Sequence, residues 1–238
     1  MNKYFNPNLF SKIIDKLLMP IVIMFIITLS YGIYQALVIS PADYQQGEMV
    51  RIMYIHVPAA WMSLFIYSFM AVFSTGYLVW KNPFADMLVR SAAPIGACFT
   101  LIALITGSIW GKPIWGTWWV WDARLTSTLI LFFFYLAYIS LDHGTIYKEQ
   151  NANNLAILAL IGFINVPIVK FSVNFWNSLH QPASIIRMKG PSIHSSMLKP
   201  LFVMAVACLL YFLMILALKL KTEILLKKTY RLEQNFLK

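Results

Sequence analysis

Apolar residues in this chain neither alternate with polar ones nor keep to one helical face; they accumulate in six long stretches. These run from about Leu17 to Ile39, Ile52 to Trp80, Ser91 to Trp110, Leu125 to Leu141, Asn153 to Val173 and Pro200 to Leu220. About 20 apolar residues cross the hydrocarbon core of a bilayer as a helix. A helix that is apolar all round has no face for water, and in lipid its backbone groups must bond within the segment. The pattern predicts an all-α fold, an integral membrane bundle of six transmembrane helices joined by short polar connections. No internal repeat or low-complexity segment interrupts it, and no soluble domain has room to fold. Residues 1–238 read as a single membrane domain.

Composition agrees, with 60% of the 238 residues hydrophobic and only 12% charged, which excludes a water-soluble globular surface. Charge adds orientation. The first stretch follows Lys3, Lys12 and Lys16 and is too long for a signal-peptide core, so it is expected to stay as an anchor. With both termini inside, Lys3, Lys12, Lys16, Lys81, Arg90, Lys148 and the basic residues from Lys219 to Lys238 lie on the inner face. Arg51, Lys112, Arg124, Lys170, Arg187, Lys189 and Lys199 then lie outside, a bias that favours this orientation. The net charge of +10 is thus mainly a topology signal, and the basic C-terminal tail is placed to meet anionic membrane lipid. Nothing in the charge pattern asks for nucleic acid. Cys98 and Cys208 fall in separate stretches, which excludes a CxxC redox centre, a thiolate metal site and a CxxCH haem attachment. Both are expected to be packing residues.

The remaining unusual residues gather on the outer face. A first outer loop, about Ser40 to Arg51, leads to His56; a second holds "WGKPIWGTWWVWDARLTS", residues 110–127; a third, about Asn174 to Lys199, holds His180 and His194. The inner face offers His143, one short basic loop and the tail. If residues 115–122 are helical, Trp115, Trp118, Trp119 and Asp122 share one face and Trp121 flanks it, giving an external Trp-rich amphipathic segment. Tryptophan also forms interfacial belts, but a belt spreads aromatics over all the span ends. Indoles gathered on one surface suit a large planar conjugated ligand, and Arg124 suits carboxylates on such a ligand. His56 lies about one turn into an apolar helix, just before Pro58, where a neutral ring wants a partner. His180 follows Trp176 by four residues, so a helix there would put indole and imidazole on one face, with Phe171, Phe175 and Leu179 on the other. Neutral imidazole is a common metal ligand and a standard axial ligand of haem iron. Zinc would want a third or fourth ligand, for which only Asp122 and His194 are near; the flat indole wall favours haem.

The tryptophan string, with "YIHVPAAWMS" before it and "FWNSLHQPASI" after it, resembles the signature of the tryptophan-rich WWD haem-handling family of cytochrome c maturation. Six spans in a chain of this length resemble its CcmC branch in particular, and the likeness runs from about Tyr54 to Ser184. The resemblance implies a multi-pass protein of the bacterial inner membrane, or of the mitochondrial inner membrane. It implies that transiently bound, non-covalent haem b is displayed on the outer (periplasmic) face and delivered to the haem chaperone CcmE. CcmD and the ATP-binding-cassette subunits CcmA and CcmB would complete the complex, and this chain would have no ATPase site and catalyse no reaction. By the same resemblance His56 and His180 are the axial ligands of the iron, and Arg51 and Arg124 are the partners of the propionates. Trp110, Trp115, Trp118, Trp119 and Asp122 are the platform. One departure is Pro182–Ala183, where the family pattern has Gly–Ala, which stiffens the turn after the ligand.

Other residues have plainer readings. His143 and His194 read as solvated, Lys170 as reaching from span five to the interface, and Pro94 and Pro167 as kinks or span ends. Asp43 and Glu48 are candidates for a partner-docking surface. Two other function classes stay open on the residues alone. A respiratory cytochrome b subunit would bury its histidines at depth within the spans, and a transport pore would carry polar or broken segments near the bilayer midplane.

Overall fold

The structure is a computed structural model and describes residues 7–143, 151–176, 178–180, 185 and 190–236. Among these, α1 (Pro7–Tyr34) is extended by a π-helical turn (Gln35–Ile39), and a 3-10 segment (Glu48–Ile52) leads into α2 (Met53–Trp80). There follow α3 (Pro83–Trp115), α4 (Ala123–His143), α5 (Ala152–Phe163), α6 (Asn165–Phe175) and α7 (Ser195–Phe236). No strand occurs among the described residues; a lone bridge pairs Asp43 with Gly47. Six helical units are long and apolar enough to cross a membrane, α5 and α6 together forming the fifth. Each unit overlaps one of the six apolar stretches, though α1 begins at Pro7 rather than near Leu17 and α7 runs from Ser195 to Phe236 rather than from Pro200 to Leu220.

Two of the departures from the hydropathy pattern have a clear local cause. α3 begins at Pro83 rather than near Ser91, because Asn82 caps it by accepting from Phe84 N at 2.9 Å and Pro83 stands at the first helical position, where its missing N–H costs nothing. The charges that hide this first part of α3 are Asp86 and Arg90. Arg90 is buried and bonds Asp86 at 2.8 Å and also Asp142 of α4. Span five breaks at Ile164, the residue after Phe163 and three before Pro167. A proline ring clashes with the carbonyl four residues back, which here belongs to Phe163. The buried Asn165 beside the break donates from Nδ2 to Ser127 O at 2.8 Å, so its polar group is satisfied in α4. Pro94, by contrast, sits inside an uninterrupted α3.

The helices pack around α2 and α3, an antiparallel pair joined by Lys81 and Asn82 alone. Fully buried tyrosines fill the seam, Tyr67 and Tyr135 meeting edge to face at 4.9 Å and Tyr135 Oη donating to Ser63 O at 2.7 Å. Gly96 and Gly162 allow these rings in, since a Cβ at either would collide with Tyr135 or Tyr67. α1 packs mainly on α7 and leaves Ile23, Ile26 and Ile27 exposed. Exposed isoleucines along a helix are what lipid, and not water, accepts. Cys208 is half-buried, but Cys98 is exposed, so it does not pack in the bundle as expected; it sits on the outward side of α3, where a small apolar thiol meets lipid without penalty.

Candidate functional site

α3 carries two glycines one turn apart, Gly107 and Gly111, and an aromatic ring lies over each. A Cβ on Gly107 would come within 2.9 Å of His56 Cε1, and a Cβ on Gly111 within 2.7 Å of Trp115 Cε3. Residues four apart share a helix face, so the imidazole from α2 and the indole from the end of α3 sit side by side along one groove. Trp110 closes on the His56 ring at 5.7 Å with an edge-on angle of 72°, and its Nε1 donates to Gln46 Oε1 at 2.8 Å. The connection between α1 and α2 is thereby pinned over the site. His180 arrives from the connection between α6 and α7 with its ring 6.5 Å from that of Trp115.

His56 is oriented. Its Nδ1 lies 3.0 Å from Ala103 O and 3.1 Å from Thr106 Oγ1. A carbonyl can only accept, so the proton belongs on Nδ1 and the lone pair on Nε2. A hydrogen bond to the far ring nitrogen is how metal-binding imidazoles are held in orientation. His180 and Arg124 both lie within electrostatic range of this ring. Gln46, Trp110 and His180 thus bring three separate parts of the chain to the neighbourhood of His56.

The tryptophan segment does not take the form expected of it. Residues 116–122 are not helical, so Trp115, Trp118, Trp119 and Asp122 do not share a helical face. Gly116 ends α3 with φ 75°, its carbonyl held by Lys112 Nζ at 2.8 Å, and a left-handed residue there stops the helix. Beyond it Trp118 (57% exposed) and Trp121 (75%) stand outward, with Lys112 Nζ 5.8 Å above the Trp118 ring. Trp119 is half-buried, edge-on to Trp121 at 5.5 Å, and its buried Nε1 has no hydrogen-bond partner among the described residues.

Asp122 is buried and serves α4 rather than facing outward with the indoles. Its Oδ1 accepts from Leu125 N at 2.7 Å, an N-cap, and its Oδ2 accepts from Ser178 Oγ. Ser178 Oγ in turn accepts from His180 N at 3.0 Å. The chain of bonds Asp122–Ser178–His180 ties the histidine's backbone to the start of α4. Sequence reasoning missed Ser178, Thr106, Gly107 and Gly111; the only signal was glycine at i and i+4 beside a histidine-bearing span. The expected helix through Trp176 and His180 is also absent, because α6 ends at Phe175 and Trp176 is extended. Phe171, Phe175 and Leu179 are exposed.

The arginines differ from one another. Arg124 donates from Nε to Ser172 Oγ at 3.0 Å and from Nη2 to Lys170 O at 3.3 Å, clamping α4 to α6 beside the site. Arg51 bonds Glu48, three residues back, and the carbonyl of Ala36 in the π-helical turn that extends α1. Asp43 accepts from Gln45 N and Gln46 N at 2.9 Å, holding the turn of its own connection. His194 is exposed and starts α7, its Nδ1 bonded to Ser196 Oγ at 2.8 Å. His143 is exposed at the end of α4, with Nδ1 2.9 Å from Ile139 O. No group of three His, Cys, Asp or Glu among the described residues could hold a metal ion, so the third ligand that zinc would want is missing there. Gln181, Pro182 and Ala183, with the stiffened turn expected of them, lie outside the described residues.

One oriented imidazole, a second imidazole nearby, flanking indoles and a guanidinium are thus gathered at this end of the bundle. Comparison with known proteins identifies the family. The family model described as Heme exporter protein C (CcmC) matches residues 1–235. The chain is 47% identical over 228 residues to the Heme exporter protein C of Bradyrhizobium diazoefficiens, covering 96% of this chain and 86% of that one. With the Heme exporter protein C of Escherichia coli K12 it shares 49% identity over 176 residues, 74% and 71% of the two chains. A Marchantia polymorpha protein described as a cytochrome c biosynthesis ccmC-like mitochondrial protein is 54% identical over 171 residues, 72% of each.

Proposed function

This chain belongs to the Heme exporter protein C family, and from that premise we propose that it binds haem b at the outer, periplasmic face of the membrane and delivers it to the chaperone CcmE. It acts with CcmD and the ATP-binding-cassette subunits CcmA and CcmB, and with its N and C termini in the cytoplasm. Haem is the cargo. His56 and His180 hold the iron from its two faces, Trp110 and Trp115 line the macrocycle, and Arg124 meets a propionate. Arg51 serves the same end from the first outer loop once it lets go of Glu48. The chain's own work is to bind, orient and release, and the iron supplies only the two coordination positions. Trp118 and Trp121, exposed at the edge, leave one side of the cargo open to the receiving partner, while Asp122 keeps His180 in register.

The observation that carries this reading is the His56 ring, locked through Nδ1 to the Ala103 carbonyl with Trp110 on its edge and His180 in range. Cys98 and Cys208 are remote in the helices, consistent with non-covalent binding. The test is absorption spectroscopy of the purified protein, with haem retained and then passed on when chaperone is added. Trp118→Ala or Trp119→Ala should weaken haem retention, by on the order of 1 kcal/mol beyond lost area, and leave the form of the spectrum unchanged. A colourless wild-type protein, or a tightly held haem that the chaperone never removes, would defeat the delivery reading.

A further inference from the structure

His56 meets α3 through one ring nitrogen and two acceptors, Ala103 O at 3.0 Å and Thr106 Oγ1 at 3.1 Å. The carbonyl alone is enough to decide which nitrogen carries the proton and how the ring lies. Thr106 is therefore a contact beyond what orientation requires, and its own helix settles the direction of that contact. A threonine in a helix turns its hydroxyl back toward the carbonyls of the preceding turn. Thr106 Oγ1 lies 2.6 Å from Ile102 O and 3.3 Å from Ala103 O. A hydroxyl has a single proton to give, and Ile102 O, the nearer carbonyl, takes it. What Thr106 offers His56 is then a lone pair, and the Nδ1–H is shared between two acceptors.

An acceptor on the far N–H draws that proton away from the ring and leaves the other nitrogen a stronger donor to a metal. Two acceptors do this more than one. Neither is charged, and no hydrogen bond joins His56 to a carboxylate among the described residues. The ring is thus enriched beyond what a single carbonyl gives, yet short of what a carboxylate would give. Oxidised iron carries the higher charge and gains more than reduced iron from a richer nitrogen, so hydrogen bonding behind an axial ligand shifts the balance between the two states.

We propose that Thr106 is a positioning residue that sets the donor strength of His56 toward iron, and through it how far the site distinguishes oxidised from reduced haem. This rests on His56 being an iron ligand. Thr106 itself touches only the imidazole and its own helix, and it acts through Nδ1 on the opposite nitrogen.

The full-length protein with 15N-labelled histidine, haem-free in detergent, is compared with Thr106→Val and Thr106→Ser by NMR, the His56 signals being assigned by their loss in His56→Ala. Wild type should show His56 protonated on Nδ1, with that proton shifted downfield by its hydrogen bonds. Thr106→Val keeps the shape and removes the acceptor, so the tautomer should stay and the proton should move upfield; Thr106→Ser should restore it. Oxidised and reduced haem are then titrated separately. The ratio of the two affinities, oxidised over reduced, should fall several-fold in Thr106→Val and recover in Thr106→Ser. A threonine that only packs would lower the melting temperature and both affinities together with the ratio unmoved, and that result would overturn the proposal. An Nδ1 proton unmoved in Thr106→Val would overturn it whatever the haem binding. A wild type that takes up haem in neither state would instead defeat the haem reading, and this inference with it.

Discussion

One glycine decides where the His56 ring can sit. A methyl at position 107 would lie 2.9 Å from His56 Cε1, so Gly107→Ala must push the ring off its Ala103 and Thr106 contacts. Such overpacking costs about 1 to 3 kcal/mol, and the expected outcome is roughly tenfold weaker haem binding with an altered spectrum, measured by haem titration. Ser178→Ala acts on the opposite ligand: it removes the link between Asp122 and the His180 backbone, leaving α4 capped. A bond of this kind contributes on the order of 1 kcal/mol, so affinity should fall about fivefold with membrane insertion unchanged; Ser178→Thr should restore it. The two histidines, Arg124 and the tryptophans were legible in the sequence because such residues are costly or concentrated for a reason at a membrane boundary. Gly107 and Ser178 were not, since one acts by lacking a side chain and the other through a backbone amide.

Helices were legible wherever hydropathy alone decides them, which is why all six spans fall where the apolar stretches lie. Hydropathy fails where charges are paired inside the bundle, as at Asp86 and Arg90, and where a left-handed glycine stops a helix that the tryptophan spacing would continue, as at Gly116. The break between α5 and α6 was foreshadowed by Pro167 alone. Arg124 bridges elements here, bonding Ser172 and Lys170 of α6 from the first turn of α4. Its loss should therefore do two things. Arg124→Ala should lower haem occupancy and loosen the α4–α6 contact, seen as faster amide exchange at the end of α6. Arg124→Lys should recover only part of the occupancy, because a point charge replaces a planar fork. If Arg124→Ala loosened the α4–α6 contact but left haem occupancy at the wild-type level, the propionate role would be wrong and Arg124 would serve only to join α4 to α6.

Across the whole molecule the polar chemistry divides between two ends of an otherwise apolar bundle. One end gathers histidines, indoles and a guanidinium from α2, α3, α4 and the connections beside them; the other holds the Arg90 ion cluster and the cavity beside it. The α2–α3 pair spans both, bringing His56 and Gly107 to the first and Arg90 to the second. That division accords with a protein that presents a cargo on one face while anchored in lipid throughout. It rests most heavily on a single iron being held between His56 and His180, whose coordinating nitrogens should stand about 4 Å apart in the loaded state, given imidazole–metal bonds of about 2 Å. The direct measurement is the electron paramagnetic resonance and visible spectrum of the haem-loaded protein beside His56→Ala and His180→Ala. Two imidazole ligands predict a low-spin wild type, a high-spin form in each single variant, and a return to low spin when free imidazole is added. A low-spin spectrum that survives either substitution without added imidazole would contradict the shared-iron site.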